Sequence, residues 1–183
     1  MRVIAGEARG RKLLSLDGLH TRPTTDRVKE SMFNMISPRI FSARVLDAFA
    51  GSGALGIEAL SRGASSCVFL ENDADALSVI RENLNTVNLS EKAEVHLVDA
   101  CRFLAQTEMK FDIIFLDPPY DAQLYFPSLS AILQGDILEK DGIIITERRA
   151  DKELPQVQGL SIVKDRRYGK TAITIYERTD GHD

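Results

Sequence analysis

The 183-residue sequence predicts an α/β fold built on a doubly wound, mostly parallel sheet. From Arg44 onward, short apolar runs alternate with segments of helical periodicity, which is typical of a parallel sheet with helices on both faces. Residues 113–116 are continuously apolar, as in a parallel strand that is covered on both sides. Two β-rich runs, 160–166 and 171–177, flank the turn Tyr168-Gly169-Lys170 and predict a terminal antiparallel hairpin.

Length and composition indicate one globular domain. We expect residues 1–183 to form a single domain, with an N-terminal hairpin and helix extension at 1–41 and the sheet-containing core at 42–183. Apolar residues make up 44% and charged residues 27%, the first residues lack the apolar core of a signal peptide, and no run approaches a membrane span. Cys67 and Cys101 read as free buried thiols, and the three histidines have no metal-ligand spacing. The sequence therefore predicts a cytoplasmic protein without a membrane segment or a metal site.

Basic residues are concentrated near the amino terminus. The net charge is −4, yet residues 1–30 carry seven Lys or Arg against four Asp or Glu, so the remainder carries −7. The overall charge argues against nonspecific coating of nucleic acid, which depends on clustered cations. The basic stretch is either a solvated surface or a patch that binds a polyanion, and the charge pattern leaves both readings open.

The amino-terminal region predicts a small β-hairpin and a helix. Residues 2–4 and 12–16 read as short strands joined by a turn at 6–10. A Thr hydroxyl just before Asp26 can cap the following helix. Apolar residues at helical spacing carry this helix to about Ile36, and we expect Pro38 to end the pattern.

The core elements follow in strict alternation. Gly63 closes the first core helix and Asp73 caps the second. The predicted strands are 44–49, 66–70, 94–98, 111–116 and 142–147, and the predicted helices are 54–62, 74–88, 100–107 and 125–133.

A glycine-rich turn, Leu46-Asp47-Ala48-Phe49-Ala50-Gly51-Ser52-Gly53-Ala54-Leu55-Gly56, follows the first core strand. Glycines at this place permit a tight turn and the close approach of a ligand, although many such turns use glycine for geometry alone. Their spacing differs from that of a turn that binds pyrophosphate, which argues against NAD. Asp47 would repel a phosphate but suits a cationic or amine-bearing ligand. The turn is therefore expected to hold part of a nucleotide-like cofactor.

Acidic residues follow the next two strands. Glu71 is placed where an acid that binds both hydroxyls of a nonphosphorylated ribose is expected. A surface carboxylate at a strand end is the alternative, but the preceding glycine turn favours ribose recognition. Asp99 could accept a hydrogen bond from an adenine amino group. Asp47, Glu71 and Asp99 together suit S-adenosylmethionine, with its amine, ribose and sulfonium.

The fourth strand ends in Asp117-Pro118-Pro119-Tyr120, at the edge of the sheet where α/β proteins bind ligands. Methylation of an exocyclic amine requires acceptors for its two hydrogens, so that the nitrogen lone pair can face the methyl donor. The Asp117 carboxylate and the Pro118 carbonyl are acceptors, and proline carries no amide hydrogen. Tyr120 offers a flat face for an unstacked base. Alternatively, the prolines merely end the strand and the tyrosine packs, a reading that the four residues together make less favourable.

These motifs resemble a known family. The glycine turn and the Asp117 tetrad are similar to those of class I S-adenosylmethionine-dependent amino-methyltransferases. Three blocks resemble the RsmD-type family, whose members methylate the N2 amine of guanine 966 in bacterial 16S ribosomal RNA; the blocks are residues 22–31, 49–63 and 115–120. Adenine-N6 DNA methyltransferases also have the tetrad, so the tetrad alone does not identify the family. The block at residues 22–31 makes the resemblance specific to the RsmD-type family. The resemblance extends from residue 2 to about 177.

The resemblance implies a Rossmann-like class I methyltransferase fold: a seven-stranded, mostly parallel sheet with a terminal antiparallel hairpin, plus a small N-terminal β-hairpin and helix. It implies S-adenosylmethionine as cofactor, 16S rRNA in small-subunit particles as partner, and a monomer. The implied cofactor-binding residues are Asp47, Phe49, Gly51, Gly53, Glu71, Asn72 and Asp99. The implied catalytic residues, which hold the amine, are Asp117, Pro118 and Tyr120. Candidate RNA-binding residues are Arg9, Arg11, Lys12, Arg22, Arg27, Arg166, Arg167 and Lys170.

Two other functions remain open. The same tetrad would serve a methyltransferase that acts on DNA adenine or on a protein amide, although no separate target-recognition domain accompanies it. A noncatalytic RNA-binding assembly factor could keep the fold, although the complete set of acids and the complete tetrad argue for catalysis. We expect an RNA (guanine-N2) methyltransferase that works by direct transfer, with positioning of the reactants as the main source of rate.

Overall fold

A computed structural model describes residues 1–16, 25–119, 122–153 and 155–179. Its strands are β1 (Arg44–Asp47), β2 (Ser66–Glu71), β3 (Ala93–Leu97), β4 (Phe111–Leu116), β5 (Leu138–Arg149), β6 (Leu160–Tyr168) and β7 (Thr171–Arg178). They form one seven-stranded sheet in the order β3-β2-β1-β4-β5-β7-β6. Strands β1 to β5 are parallel, and β7 is antiparallel to both β5 and β6. The predicted sheet and its terminal hairpin are therefore confirmed.

Helices cover both faces of the sheet, and the alternation of side chains along the strands decides which core each residue joins. The α-helices are α1 (Asp26–Ile40), α2 (Ala54–Ser61), α3 (Ala74–Thr86), α4 (Ala100–Gln106) and α5 (Tyr125–Gln134). Phe115 and Ile145 belong to the core under α1, α2 and α3, whereas Leu46 and Leu116 belong to the core under α4 and α5. No helix in the described part of the chain is long and apolar enough to cross a membrane.

Helix α1 continues beyond the predicted end. Pro38 lies inside the helix, which ends at Ile40. A proline near the end of a helix removes one backbone hydrogen bond, and contacts with the rest of the fold compensate here. Ile40 is buried, and Arg39 donates to the Asp141 carbonyl and to the Glu177 carboxylate, each at 2.7 Å. The prediction that Pro38 ends the pattern is wrong because tertiary packing holds the final turn.

Strand β5 begins four residues earlier than predicted. Phe111 pairs with Leu138, whereas Ile113 pairs with Ile143, so extra residues of β5 form an irregularity in the ladder. This stretch is polar, and its Glu139 forms an ion pair with Arg44 at 2.6 Å. An apolar pattern could not reveal it. The remaining core boundaries agree with the predictions to within two residues.

The N-terminal hairpin contains a single antiparallel bridge, between Arg2 and Lys12, rather than two strands. Its main attachment is to polar side chains of α2 and α3. Glu58, Ser61 and Asn83, all buried, accept hydrogen bonds from backbone amides of residues 4, 5, 8 and 14. These bonds fix residues 1–16 against the core, where Met1, Ser15 and Leu16 line the cavity described below.

Candidate active site

A cavity of about 1040 Å³ opens at the carboxyl edge of the parallel strands. Each of the five parallel strands contributes an acid at or near its carboxyl end, because parallel strands present these ends at one edge of the sheet. These acids are Asp47, Glu71, Asp99, Asp117 and Glu147. Phe49, Gly51, Asn72 and Pro118 also line the cavity. The structure thus brings together most of the cofactor and amine-binding residues that the sequence predicted.

The glycine turn has the tight geometry that its sequence predicted. Gly51 and Gly53 have left-handed backbones, with φ of 57° and 83°. Gly53 is the N-cap of α2, and a Cβ there would lie 3.3 Å from the Ile80 side chain. Gly53 is not among the residues that line the cavity. Its position indicates that it shapes the turn while Gly51 borders the cavity.

Asp47 is almost completely buried, with 2% of its surface exposed. Its Oδ2 accepts a hydrogen bond from the Gly56 amide at 3.0 Å, which ties the end of β1 to the first turn of α2. Burial raises the pKa of Asp47 to about 7; the Gly56 hydrogen bond opposes this change and the nearby negative charge of Glu71 adds to it. A cation bound in the cavity would favour the ionised form of Asp47.

Glu71 is fixed by three backbone amides. Its Oε2 accepts from Gly51 at 2.9 Å, and its Oε1 accepts from Asn72 and Asp73, each at 3.0 Å. A carboxylate offers about four acceptor positions, so capacity remains for a ligand hydroxyl. The glycine turn and the end of β2 therefore hold this carboxylate in one orientation beside the cavity.

Asp99, Asn72 and Phe49 complete this half of the cavity. Asp99 is exposed, and its Oδ1 accepts from the Arg102 amide at 2.9 Å and caps α4. Asn72 is exposed, and Phe49 packs against the core under α4 and α5. Acceptor side chains and one aromatic ring therefore line this half of the cavity.

Asp117 occupies the other half of the cavity, directly after β4. Its side chain is partly buried, and Pro118 is buried next to it. Burial, followed by the negative charges of Glu147 and Asp47, holds the pKa of Asp117 well above its ordinary range. Tyr120, which the sequence also predicted here, lies outside the described residues.

The sequence reading missed Glu147 and Tyr125. Glu147 lies on β5 and lines the cavity beside Asp117. The Tyr125 hydroxyl donates to the Glu147 backbone carbonyl, and burial together with Asp117 and Glu147 raises the pKa of Tyr125, which keeps it a neutral donor. The sequence did contain a signal for Glu147, because this acid comes at the end of a largely apolar strand, just as Asp117 does.

The candidate RNA-binding residues lie in separate places. Arg167 and Lys170, at the turn between β6 and β7, line the cavity, and Arg166 is exposed on β6. The others that the structure describes are exposed but outside the cavity lining; they are Arg9, Arg11, Lys12 and Arg27. Arg22 lies outside the described residues.

One basic residue of the amino-terminal stretch, Lys29, is buried rather than exposed. Its exposure is 1%, and its Nζ lies 3.3 Å from Glu58 Oε2 and donates to the Arg2 carbonyl at 2.7 Å. Glu58 also accepts from Arg62 Nε at 2.9 Å. Lys29 therefore joins α1 to α2, and its charge is compensated inside the protein.

The residues present fit S-adenosylmethionine better than a phosphate-bearing cofactor. Acceptors dominate the half of the cavity built by β1, β2 and β3, in the form of Asp47, Glu71 and Asp99. Such a set attracts cations and hydroxyl donors and repels phosphates. The left-handed Gly51 lets the backbone border the cavity without a side chain.

Comparison with known proteins decides the family. A family model described as conserved hypothetical protein 95 matches residues 1–177. The chain belongs to this family. The Bacillus subtilis protein YlbH is 46% identical over 97% of this chain and 99% of its own length. Ribosomal RNA small subunit methyltransferase D of Haemophilus influenzae is 39% identical over 97% of this chain and 93% of its own.

A solved structure extends this similarity to the fold. The yhhF protein from Escherichia coli superposes with a TM-score of 0.90 at 35% identity, over 99% of both chains. The resemblance to the RsmD-type family and the expected class I methyltransferase fold are thereby confirmed.

Proposed function

We propose that this protein transfers a methyl group from S-adenosylmethionine to the exocyclic N2 amine of a guanine in 16S ribosomal RNA. The observation that carries the proposal is that Asp117 and Pro118 share one cavity with Glu71 and the glycine turn. An acceptor site for an amine and an acceptor-rich cofactor site thus face each other. A family relative named ribosomal RNA small subunit methyltransferase D supports rRNA as the substrate.

The cofactor half of the cavity is formed by β1, β2 and β3. Glu71, held by its three amide bonds, accepts the ribose hydroxyls, and Asp99 receives the adenine amine. Asp47 favours a positive charge, while Phe49, Gly51 and Asn72 border the ligand. When bound, S-adenosylmethionine supplies an electrophilic methyl group. Gly53 contributes indirectly, through the shape of the turn.

The amine half of the cavity is formed by the segment after β4. Asp117 acts in its ionised form, which the positive charge of a bound S-adenosylmethionine would favour against the burial and neighbouring carboxylates that raise its pKa. This carboxylate and the Pro118 carbonyl accept the two amine hydrogens, which aims the nitrogen lone pair at the cofactor half. Tyr120 supports the face of the base, and the excess proton leaves by way of water. Holding both reactants in a productive orientation can supply up to roughly 7–11 kcal/mol of the rate enhancement.

The RNA backbone is the second partner. Arg167 and Lys170, which line the cavity, contact the phosphates nearest the target base. Arg9, Arg11, Lys12, Arg22, Arg27 and Arg166 extend the contact to more distant phosphates. The substrate is the small-subunit particle in the cytoplasm, bound by a single copy of the protein.

Labelled S-adenosylmethionine tests this function directly. Naked rRNA, small-subunit particles, DNA and protein are offered separately, and the labelled product is digested and identified. We expect label in 16S rRNA as N2-methylguanosine. Label in DNA adenine or in protein would support the other amino-methyltransferases, and failure to bind S-adenosylmethionine would support the noncatalytic factor.

A further inference from the structure

Glu147 is the neighbour of Asp117 on the adjacent strand. Leu116, the last residue of β4, pairs with Thr146 of β5, so Asp117 and Glu147 each directly follow this paired position. The negative charge of Glu147 also acts on Asp117, which shows that the two side chains are close. Adjacent strands are about 4.8 Å apart. Because Ile145 points into the core under α1 to α3, the alternation of side chains along β5 directs Glu147 to that same side. Both carboxylates line the cavity.

The backbone around Glu147 is held from two directions. The Tyr125 hydroxyl donates to the Glu147 carbonyl from α5. The next residue, Arg148, donates to both Asp165 oxygens, at 3.0 and 3.1 Å, and to Thr174 Oγ1 at 3.3 Å. A carboxylate on such a fixed strand end has the defined position that selection between similar bases requires.

The order of strands places Glu147 on the side of Asp117 away from the cofactor half. The cofactor half is built from β1, β2 and β3, and β4 lies between β1 and β5. If Asp117 holds the amine and the amine points toward the cofactor half, the ring of the base extends in the opposite direction, toward β5. Glu147 faces the ring rather than the methyl donor.

Guanine and adenine differ at the ring atom beside the amine. In guanine, the N2 amine is next to an N1–H donor, whereas in adenine the N6 amine is next to a bare N1 acceptor. A carboxylate accepts a hydrogen bond from the first and repels the second. We propose that Glu147 selects guanine by accepting a hydrogen bond from its N1–H while Asp117 holds the N2 amine. This inference rests on the proposed function and specifies the base that the same cavity takes.

RNA that carries 2-aminopurine at the modified position separates the contact of Asp117 with the N2 amine from the contact of Glu147 with N1–H. This base keeps the amine at position 2 but presents a bare N1 acceptor. After the target position has been mapped with unmodified rRNA, small-subunit particles are reassembled with guanine or 2-aminopurine at that position. The wild-type protein should methylate the guanine substrate about 10- to 100-fold more efficiently, the range expected for a hydrogen bond to a charged group.

The variant Glu147→Gln should lose most of this preference, because its amide can donate to the bare N1. Any preference that comes from the 6-oxo group would persist in the variant. Glu147→Ala is a second test. Loss of the acceptor should lower the methylation efficiency of the guanine substrate to nearly that of the 2-aminopurine substrate. The matched control is Glu108→Gln, on the exposed stretch after α4, and it should keep the wild-type preference.

Thermal melting and S-adenosylmethionine binding show that the variants are folded. A folded Glu147→Gln protein with an unchanged preference, on particles that the wild-type protein methylates at guanine N2, would overturn this inference alone. Absence of wild-type transfer to any guanine N2 would overturn the proposed function and this inference with it.

Discussion

Glu71 holds the cofactor turn and, in our proposal, the ribose as well. Its three amide bonds already place the carboxylate at the cavity edge. Replacement by Ala removes both the ribose acceptor and the anchor of the Gly51 turn. Hydrogen bonds to a charged group contribute about 1.5–3 kcal/mol each, so the Kd for S-adenosylmethionine should rise at least about tenfold.

Isothermal titration calorimetry measures this change. Asp75→Ala is the matched control, because Asp75 is an exposed acid in the first turn of the following helix, α3. The control should bind the cofactor as the wild type does. If Glu71→Ala binds S-adenosylmethionine with unchanged affinity, the assignment of Glu71 to the cofactor site is wrong.

Asp47 makes stability depend on pH. Its pKa is raised from 3.8 to about 7 in the folded protein, so between these values the folded state keeps a proton that the unfolded state releases. The stabilisation is complete below about pH 4 and is lost as the pH rises through about 7. A shift of this size corresponds to on the order of 4 kcal/mol.

The variant Asp47→Asn should remove this part of the pH dependence, because the amide oxygen can still accept from Gly56. Urea unfolding at pH 4, 6 and 8 should show the variant gaining stability relative to wild type as the pH rises. The exposed Asp75→Asn serves as control. A constant difference between Asp47→Asn and wild type at all three pH values would contradict this explanation.

At the level of the elements, Asn83 joins three parts of the protein. From α3, its Oδ1 accepts from the Leu14 amide at 2.7 Å, and its Nδ2 donates to the carbonyls of Leu14 at 3.1 Å and Ser52 at 2.9 Å. The side chain is 1% exposed. It therefore couples the N-terminal segment to the glycine turn.

Asn83→Ala should leave these backbone groups without partners and lower the free energy of unfolding by about 2–4 kcal/mol. Cofactor affinity should fall as well, because Ser52 belongs to the turn. Denaturant unfolding and calorimetry test both effects. Asn34→Ala, an exposed Asn on α1, should change stability by less than about 0.5 kcal/mol. Equal stability of the two variants would contradict the coupling.

Most elements could be predicted from local patterns, and the exceptions depend on tertiary contacts. Asp73 caps α3 by accepting from Ala76 at 2.8 Å, as its position indicated. The extension of α1 past Pro38 depends on Arg39 bonds to distant strands, and the early start of β5 is polar. The early part of β5 has no apolar period in the sequence, whereas Ile40 continues the four-residue apolar spacing of α1, a signal that the presence of Pro38 outweighed in the prediction.

At the scale of the whole molecule, parallel topology made much of the site predictable. Acids that follow apolar strands meet at one edge of the sheet, which brought Asp47, Glu71, Asp99 and Asp117 into one cavity. The burial of Lys29 with Glu58 was not predictable, because a basic stretch does not reveal which of its members face the core. Glu147 was missed because strand order, not sequence distance, makes it the neighbour of Asp117.

The central claim is that one cavity has two separable halves, one for the methyl donor and one for the amine. Asp117→Ala tests it most directly, with methyl transfer to small-subunit particles and S-adenosylmethionine binding measured on the same preparation. We predict that turnover falls at least about 100-fold while the Kd for S-adenosylmethionine changes less than about threefold, because Asp117 acts on the amine alone. Normal turnover, or loss of cofactor binding that accounts for the lost activity, would contradict the account.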